Sequence, residues 1–316
     1  MKSRTPLISV VICTYNNADS LKLTLNELSK CEISNTEDVE LLCVDNNSPD
    51  HALGVISEIK SQFKFSVKYL FESRQGLSHA RNLGLKEAKG EYILFTDDDA
   101  KIPVNWLREY LDKIQQYNPD CLYSKISILW DRPIPSWFIP EYRPFFVCLD
   151  YGDNDLSVDD IHHEFFGKNF CVKKQVLDGL GGFNPNLGRC GDRLIAGEET
   201  LIYRELIKRR KKVIYFPGAE VGHRLKDREY EFDNMRKMYS DSAYSFYYLS
   251  KLTALKVFLG RPLYPLKASL NAILNHLIHL LKSHIKRDSR YVLYNKIQLA
   301  KHLKVLSLWV KNHAIK

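Results

Sequence analysis

The 316-residue chain is 45% hydrophobic and 27% charged, which suits a globular protein with a packed core and allows one large domain or two ordinary ones. No run reaches the roughly 18 uninterrupted apolar residues of a membrane-spanning helix, and MKSRTPLISVVICTY enters a strand-like run without a signal-peptide cleavage site. The net charge of +8 is uneven: residues 251–316 hold 13 Lys or Arg and one acid, Asp288, which leaves −4 for the first 250.

Elements alternate from the start. LISVVICTY (Leu7–Tyr15) reads as a strand and ADSLKLTLNELSK (Ala18–Lys30) as a helix, with Leu21, Leu25 and Leu28 on one face. VELLCVD (Val39–Asp45) is strand-like, HALGVISEIKSQF helical, FSVKYLF a strand, and LSHARNLGLKEAKG a helix capped by Gly90. The strand EYILFTD, the helix VNWLREYLDKIQQY and the strand CLYSKISIL follow. This alternation predicts a mostly parallel sheet with helices on both faces. Between Asp131 and about Gly167 it stops, in a Pro- and aromatic-rich stretch and then an acidic one that read as a mobile loop near a substrate. It resumes with the strand and short helix of NFCVKKQVLDGLGGF, the helix GEETLIYRELIKRRKK and the strand VIYFPGAEVGH. Beyond about Arg224 the chain is helical and basic. Two regions follow from this reading, a catalytic α/β domain over 1–225 and a basic helical region over 226–316.

Polar motifs fall directly after strands: TYNN (Thr14–Asn17), DNNS (Asp45–Ser48) and DDD (Asp97–Asp99). Open α/β sheets bind ligands outside the carboxyl ends of their strands. Three adjacent aspartates repel one another unless a cation sits among them, so DDD reads as an oxygen-rich site for Mg²⁺ or Mn²⁺ and a phosphate; the plainer reading is a solvated acidic turn. Neither GxxxxGK[ST] nor GxGxxG after the first strand is present, which argues against a P-loop NTPase and a dinucleotide oxidoreductase. The seven cysteines are scattered without a CxxC pair, so no zinc site or disulfide framework is expected, and a reducing compartment, the cytoplasm, is. His162–His163–Glu164 resembles a metal cluster but lies on an extended chain whose neighbours face opposite ways, so it reads as a loop on the acceptor side.

In ordered motifs over roughly Leu7 to Leu225, the sequence resembles the family 2 glycosyltransferases of GT-A fold. The motifs are ISVVICTYNNADSL, LLCVDNNSPD, RQGLSHARNLGLKEAKGEYILFTDDDA, GKNFCVKKQVLDGLGGFNPNLGR and GEETLIYRELIKRRKKVIYFPGAEVGHRL. The resemblance implies an inverting transfer from a nucleotide-diphosphate sugar to a glycan or lipid-linked hydroxyl acceptor in surface polysaccharide synthesis. It implies nucleoside contacts from Thr14, Tyr15, Asn16 and Asp45, and donor contacts from Arg81 and Asn82. Asp97 and Asp99 match the ends of a DxD motif, with Asp98 sharing in ribose or metal binding, and His223 matches a histidine that reaches the metal or diphosphate. Glu198 and Glu199 match an acidic pair, usually Glu-Asp, with Glu199 the first choice as base and Glu198 the second. Asn169 is expected on the acceptor side or as an edge-strand residue, and Trp137 as an acceptor gate or a loop anchor. A non-catalytic sugar-binding relative and a sugar nucleotidyltransferase are the competing readings; the latter needs a Gly-rich first loop, which VICTYNN lacks.

The C-terminal region has an apolar stripe, Leu270, Ile273, Leu274, Leu277, Ile278 and Leu281, flanked by Lys267, Lys282, Lys286, Arg287 and Arg290. It reads either as a helical cap with a solvated basic face or as an anionic-membrane contact on the inner face of the membrane. His276 and His279 read as the polar side of that helix. No nucleic acid is expected, because no recognised module accompanies the charge.

Overall fold

The computed structural model describes residues 5–189 and 195–312; Cys190 lies outside them. The chain divides into two compact units. The first comprises 5–131, 146–185 and 198–225, and the second 132–145, the described parts of 186–197, and 226–312. The Pro-rich segment 132–145 thus clusters with the C-terminal helices, although it sits in the middle of the α/β sequence.

The first unit runs β1 (Ile8–Thr14), α1 (Ala18–Leu28), β2 (Val39–Asp45), α2 (Ala52–Ile59), β3 (Ser66–Phe71), α3 (Leu77–Glu87), β4 (Tyr92–Asp97), β5 (Ala100–Lys101), α4 (Trp106–Tyr117) and β6 (Cys121–Leu129). It continues with β7 (Leu156–Val158), β8 (Asn169–Lys173), α5 (Lys174–Leu180), α6 (Glu198–Lys208) and β9 (Val213–Arg224). Strands β1, β2 and β4 are covered on both faces, which is why they read as mostly apolar runs and do not alternate. Helix α1 buries Ala18, Leu21, Leu25 and Leu28, the face its spacing predicts. Gly84 lets α3 approach β1, since a Cβ there would lie 2.5 Å from a Val11 methyl. Gly90 is not the C-cap expected of it. Helix α3 ends earlier, at Glu87, and Gly90 instead passes where a Cβ would meet the Ser9 backbone nitrogen at 2.5 Å.

The sheet order is β3-β2-β1-β4-β8-β6-β9-β5, with β7 added on β9. Strands β1 to β4 pair in parallel, as do β6 and β9. The parallel run is broken by β8, which enters between β4 and β6 antiparallel to both. A strand running backwards begins where its neighbours end. The residues preceding β8, Gly167 and Lys168, therefore arrive at the carboxyl edge beside Asp97.

The second unit contains α7 (Phe232–Leu252), a hairpin of β10 (Val257–Phe258) and β11 (Arg261–Pro262), α8 (Leu263–Ile285) and α9 (Ser289–Lys311). Tyr142, Tyr239 and Tyr294 meet edge to face with centroids 5.5–6.4 Å apart, and Phe145 stacks on Tyr239. Trp137 packs on Tyr142 and Phe232, and its indole N–H donates to the Tyr230 carbonyl at 3.3 Å. These are the contacts of a loop anchor, and all lie within this unit.

Asn169 corrects an expectation. The first residue of β8 is 1% exposed and all its amide bonds go inward. Its Oδ1 accepts from the Trp106 indole and the Tyr110 hydroxyl, each at 3.0 Å, and its Nδ2 donates to the carbonyls of Ala219 (2.7 Å) and Lys125 (2.9 Å). It pins α4, β6 and β9 together and does not line an acceptor surface. Asn169→Ala would orphan several buried groups, so chemical denaturation should show a loss of about 2–4 kcal/mol. A variant of native stability with an altered acceptor KM would restore the acceptor-side role.

Candidate active site

Two cations organise the carboxyl edge of the sheet. Arg81, on α3, is buried, with its guanidinium 5.5–6.0 Å from the rings of Phe95, Phe170 and Phe183. Its Nη1 donates to Glu198 Oε1 at 2.7 Å, its Nη2 to the Gly167 carbonyl at 3.1 Å, and Asp97 Oδ1 lies 3.7 Å away. A side chain at Gly167 would meet Arg81 Nη2 at 2.3 Å, so glycine is what lets the guanidinium reach that carbonyl. Burial opposes the charge on Arg81, but Glu198 and Asp97 more than offset it and raise its pKa.

Lys168 is the second cation, and the sequence reading missed it. It is 1% exposed and stands between Asp97 and Asp99, with Asp97 Oδ2 at 3.1 Å and Asp99 Oδ1 in a shorter ion pair. Burial alone would raise the Asp99 carboxyl; Lys168 and His223 instead hold it well below the usual carboxylate range. Burial works against the ammonium as well, yet Asp99 and Asp97 raise its pKa. The only sign of this in the sequence is a charge, beside Asn169, inside a mostly apolar strand entry, FFGKNFCV.

The middle aspartate goes elsewhere. Asp98 accepts from the Thr14 hydroxyl and the Asn17 amide, each at 2.7 Å. Thr14 and Asp98, both expected at the nucleotide, spend these groups on one another and fix the loop after β1 to the loop after β4. Asn82, expected at the donor, is likewise committed: its amide donates to the Phe183 carbonyl at 2.7 Å and accepts from the Phe183 N–H at 2.8 Å. Gly182 beside it has φ +74°, and a Cβ there would crowd Asn82 Oδ1 at 2.5 Å.

Asp45 ends β2 with its carboxylate held by the Ser48 N–H (2.8 Å) and the Tyr69 hydroxyl (2.9 Å). Asn16, at φ 49°, donates its N–H to Ser48 Oγ at 3.2 Å, and Tyr15 is exposed. Asn46, also missed, supports this edge by donating to the Arg74 carbonyl at 2.7 Å and accepting from the Gly76 N–H at 2.8 Å.

His223, near the end of β9, pairs in register with Ala100 of β5. Its Nδ1–H donates to the Phe146 carbonyl at 2.8 Å, which turns Nε2 toward Asp99 Oδ2 at 3.7 Å. The His163 ring instead pairs with Asp160 at 2.8 Å, and Glu164 accepts from Thr200. Among the described residues, no three His, Cys, Asp or Glu form a ready-made metal cage. Asp97 and Asp99 nevertheless suit a hard divalent cation completed by a ligand's phosphates, and Lys168 shows that this spot attracts positive charge.

Helix α6 begins with the acidic pair. Glu198 is held by Arg81 through Oε1. Burial, and next the neighbouring Glu198, push the Glu199 carboxyl well above the usual range, while Arg81 partly counteracts them. The Oε2 atoms of Glu198 and Glu199 are both buried without a hydrogen-bond partner. One glutamate is thus tied to a cation, and the other is a buried carboxyl with raised proton affinity and an unused oxygen.

Residues 9–134 match the family model described as Glycosyl transferase family 2, a span that contains Asp45, Arg81 and Asp97–Asp99. The chain is 25% identical over 233 residues to the glucosyl-dolichyl phosphate glucuronosyltransferase of Haloferax volcanii, covering 72% of each. It is 30% identical over 142 residues to the poly(ribitol-phosphate) beta-N-acetylglucosaminyltransferase TarS of Staphylococcus aureus, 45% of this chain but only a quarter (25%) of that protein. Among solved structures, the mannosyltransferase PcManGT of Pyrobaculum calidifontis, in complex with GDP-Man and Mn²⁺, superposes with a TM-score of 0.64 at 16% identity, covering 98% of this chain and 89% of that one. TarS 1–349 in complex with UDP gives 0.55 at 16% identity, over 98% and 93%. Residues 9–134 are thus similar to glycosyltransferase family 2, and the chain has the GT-A fold.

Proposed function

We propose that the protein transfers a sugar from a nucleoside-diphosphate donor to a hydroxyl of a glycan or lipid-linked acceptor, with inversion at the anomeric carbon, in surface polysaccharide synthesis. The observation that carries this is the buried Glu199 carboxyl, with Oε2 unused, beside an Arg81-held Glu198 linked through Arg81 to Asp97. Asp45 offers a fixed acceptor for the nucleoside, and Asp97 and Asp99, gathered around Lys168, would hold the diphosphate through a cation. Glu199 takes the acceptor proton, the acceptor oxygen attacks the anomeric carbon from the face opposite the diphosphate, and the bond to the diphosphate breaks with its electron pair. That direct displacement inverts the centre and leaves no sugar on the enzyme. A divalent cation held by Asp99 and Asp97, with His223 behind them, would stabilise charge on the departing diphosphate. Relatives support this choice: PcManGT was solved with GDP-Man and Mn²⁺, and TarS with UDP-GlcNAc. Cys31, Cys43, Cys121 and Cys171 are buried as thiols, which suits work in the cytoplasm.

Thermal stability against UDP, GDP, dTDP and CDP, each with Mn²⁺ or EDTA, tests the donor site. One nucleotide should raise the midpoint with metal and not with EDTA, and Asp99→Asn should abolish that rise. No rise with any nucleotide in a folded sample would overturn the reading.

Lys168→Ala removes a cation from between two carboxylates. Its thermal midpoint should fall in EDTA and recover with Mn²⁺ further than the wild type gains; equal responses would remove Lys168 from the charge balance of the site.

Glu199→Gln should lower kcat by about 10²–10⁴-fold while nucleotide binding persists. Because burial and Glu198 raise the Glu199 pKa, wild-type kcat/KM should increase with pH through a limb lying above the ordinary glutamate range. Glu198→Gln removes a like charge, so that limb should move to lower pH. Full activity of Glu199→Gln, or a product that retains the donor's anomeric configuration by NMR, would sink the mechanism.

A further inference from the structure

Helix α8 is amphipathic in the wrong sense for a helix packed in a protein. Toward the rest of its unit it presents mainly small and polar groups, with Leu266 near its start: Pro265, Ser269 and Ser283 are its buried residues. His276 Nδ1 meets Asn295 Oδ1 at 2.8 Å, and His302 Nδ1 lies 3.2 Å from Ser269 Oγ. Most of its large aliphatic side chains from Leu270 onward face outward. Leu270, Leu274, Leu277, Ile278, Leu281 and Ile285 are all exposed, Leu281 by 67% and Ile285 by 82%. At 3.6 residues per turn these six fall within an arc of about 100°, in a stripe about 22 Å long. The hairpin that leads into α8 is similar. Leu255, Val257, Phe258 and Leu259 are exposed, Leu255 almost completely at 99%. Left in water, such a stripe forfeits roughly 1.5–3 kcal/mol for every large side chain that burial would cover.

Charge decides what covers it. Residues 251–316 carry 13 Lys or Arg against one acid, and Lys282, Lys286, Arg287 and Arg290 crowd the end of the stripe as exposed groups. Docking this face on a second copy would set like charges against like. Nucleic acid would satisfy the cations and leave the leucines in water. An anionic lipid surface satisfies both, because it accepts an apolar face among its acyl chains and draws a basic rim to its headgroups. No described helix is long and apolar enough to cross a membrane, which agrees with a helix lying in the interface plane.

We propose that α8, with the Leu255–Leu259 hairpin, is an interfacial anchor that seats this protein on anionic membranes. The inference does not depend on the transferase reading, and its test uses no turnover. The full chain is floated with vesicles of phosphatidylcholine alone, or with about one third phosphatidylglycerol, at low and high salt. Partition should be strong with anionic vesicles at low salt and weak with neutral ones. Leu277→Asp with Leu281→Asp should reduce it by about tenfold or more at an unchanged thermal midpoint, since both side chains point into solvent. Lys282→Glu with Lys286→Glu should reduce it similarly at low salt. Absence of anionic-vesicle binding at low salt overturns the proposal, as does binding that the Leu→Asp pair leaves unchanged. A concentration-dependent dimer by sedimentation that the same pair dissolves, without vesicle binding, would assign the face to a second copy.

Discussion

The buried guanidinium of Arg81 is the constraint around which the site is built. Removing a cation from water costs several kcal/mol unless partners replace the solvent. Here the partners come from three separate places: Glu198 opening α6, Asp97 ending β4, and the Gly167 carbonyl preceding β8. Three phenylalanines surround the ion and keep water away. Elements distant in sequence are thereby held at one edge of the sheet. The fully bonded Asn169 pins that edge to α4, β6 and β9 from behind.

The three adjacent aspartates are a consequence of this arrangement. Successive side chains at a strand end diverge, so like charges adjacent in sequence need not share one environment. Asp97 and Asp99 turn to Lys168, while Asp98 turns back to Thr14 and Asn17. Two aspartates face a cation and the third fastens two loops. The same division recurs in the acidic pair, where Glu198 is bound to Arg81 and Glu199 keeps an unused oxygen. In each case adjacent carboxylates are sent to different partners.

The second unit follows a different logic. Its core is built from tyrosines together with Met235, Leu249, Ile297, Val305, Leu308 and Trp309, and the most apolar face of α8 is left outside. A contiguous stripe of leucines turned away from its own protein is costly in water, and another apolar phase would relieve that cost. A lipid surface would also bring a transferase close to lipid-linked acceptors, so the two readings are compatible although neither requires the other.

The sequence by itself determined the strand–helix alternation, the covered strands β1, β2 and β4, and the motif-bearing edge. Those depend on local periodicity and on the rule that ligands gather where parallel strands end. It also exposed the leucine stripe of α8, because helical spacing alone puts those residues on one face. Which way that face points was a tertiary outcome, since the pattern is the same for a buried stripe and an exposed one. The roles of Lys168, Asn169, Asn82 and Asp98 were tertiary as well. Lys168 reaches Asp97 and Asp99 only because β8 runs antiparallel between β4 and β6, a pairing between residues about seventy positions apart that no local pattern encodes. Asn169 and Asn82 looked like ligand contacts because a polar residue in a motif is ambiguous until its partners are known. Hydrogen bonds to Trp106, Tyr110 and the Phe183 backbone resolved it, and those partners come together only when the chain folds.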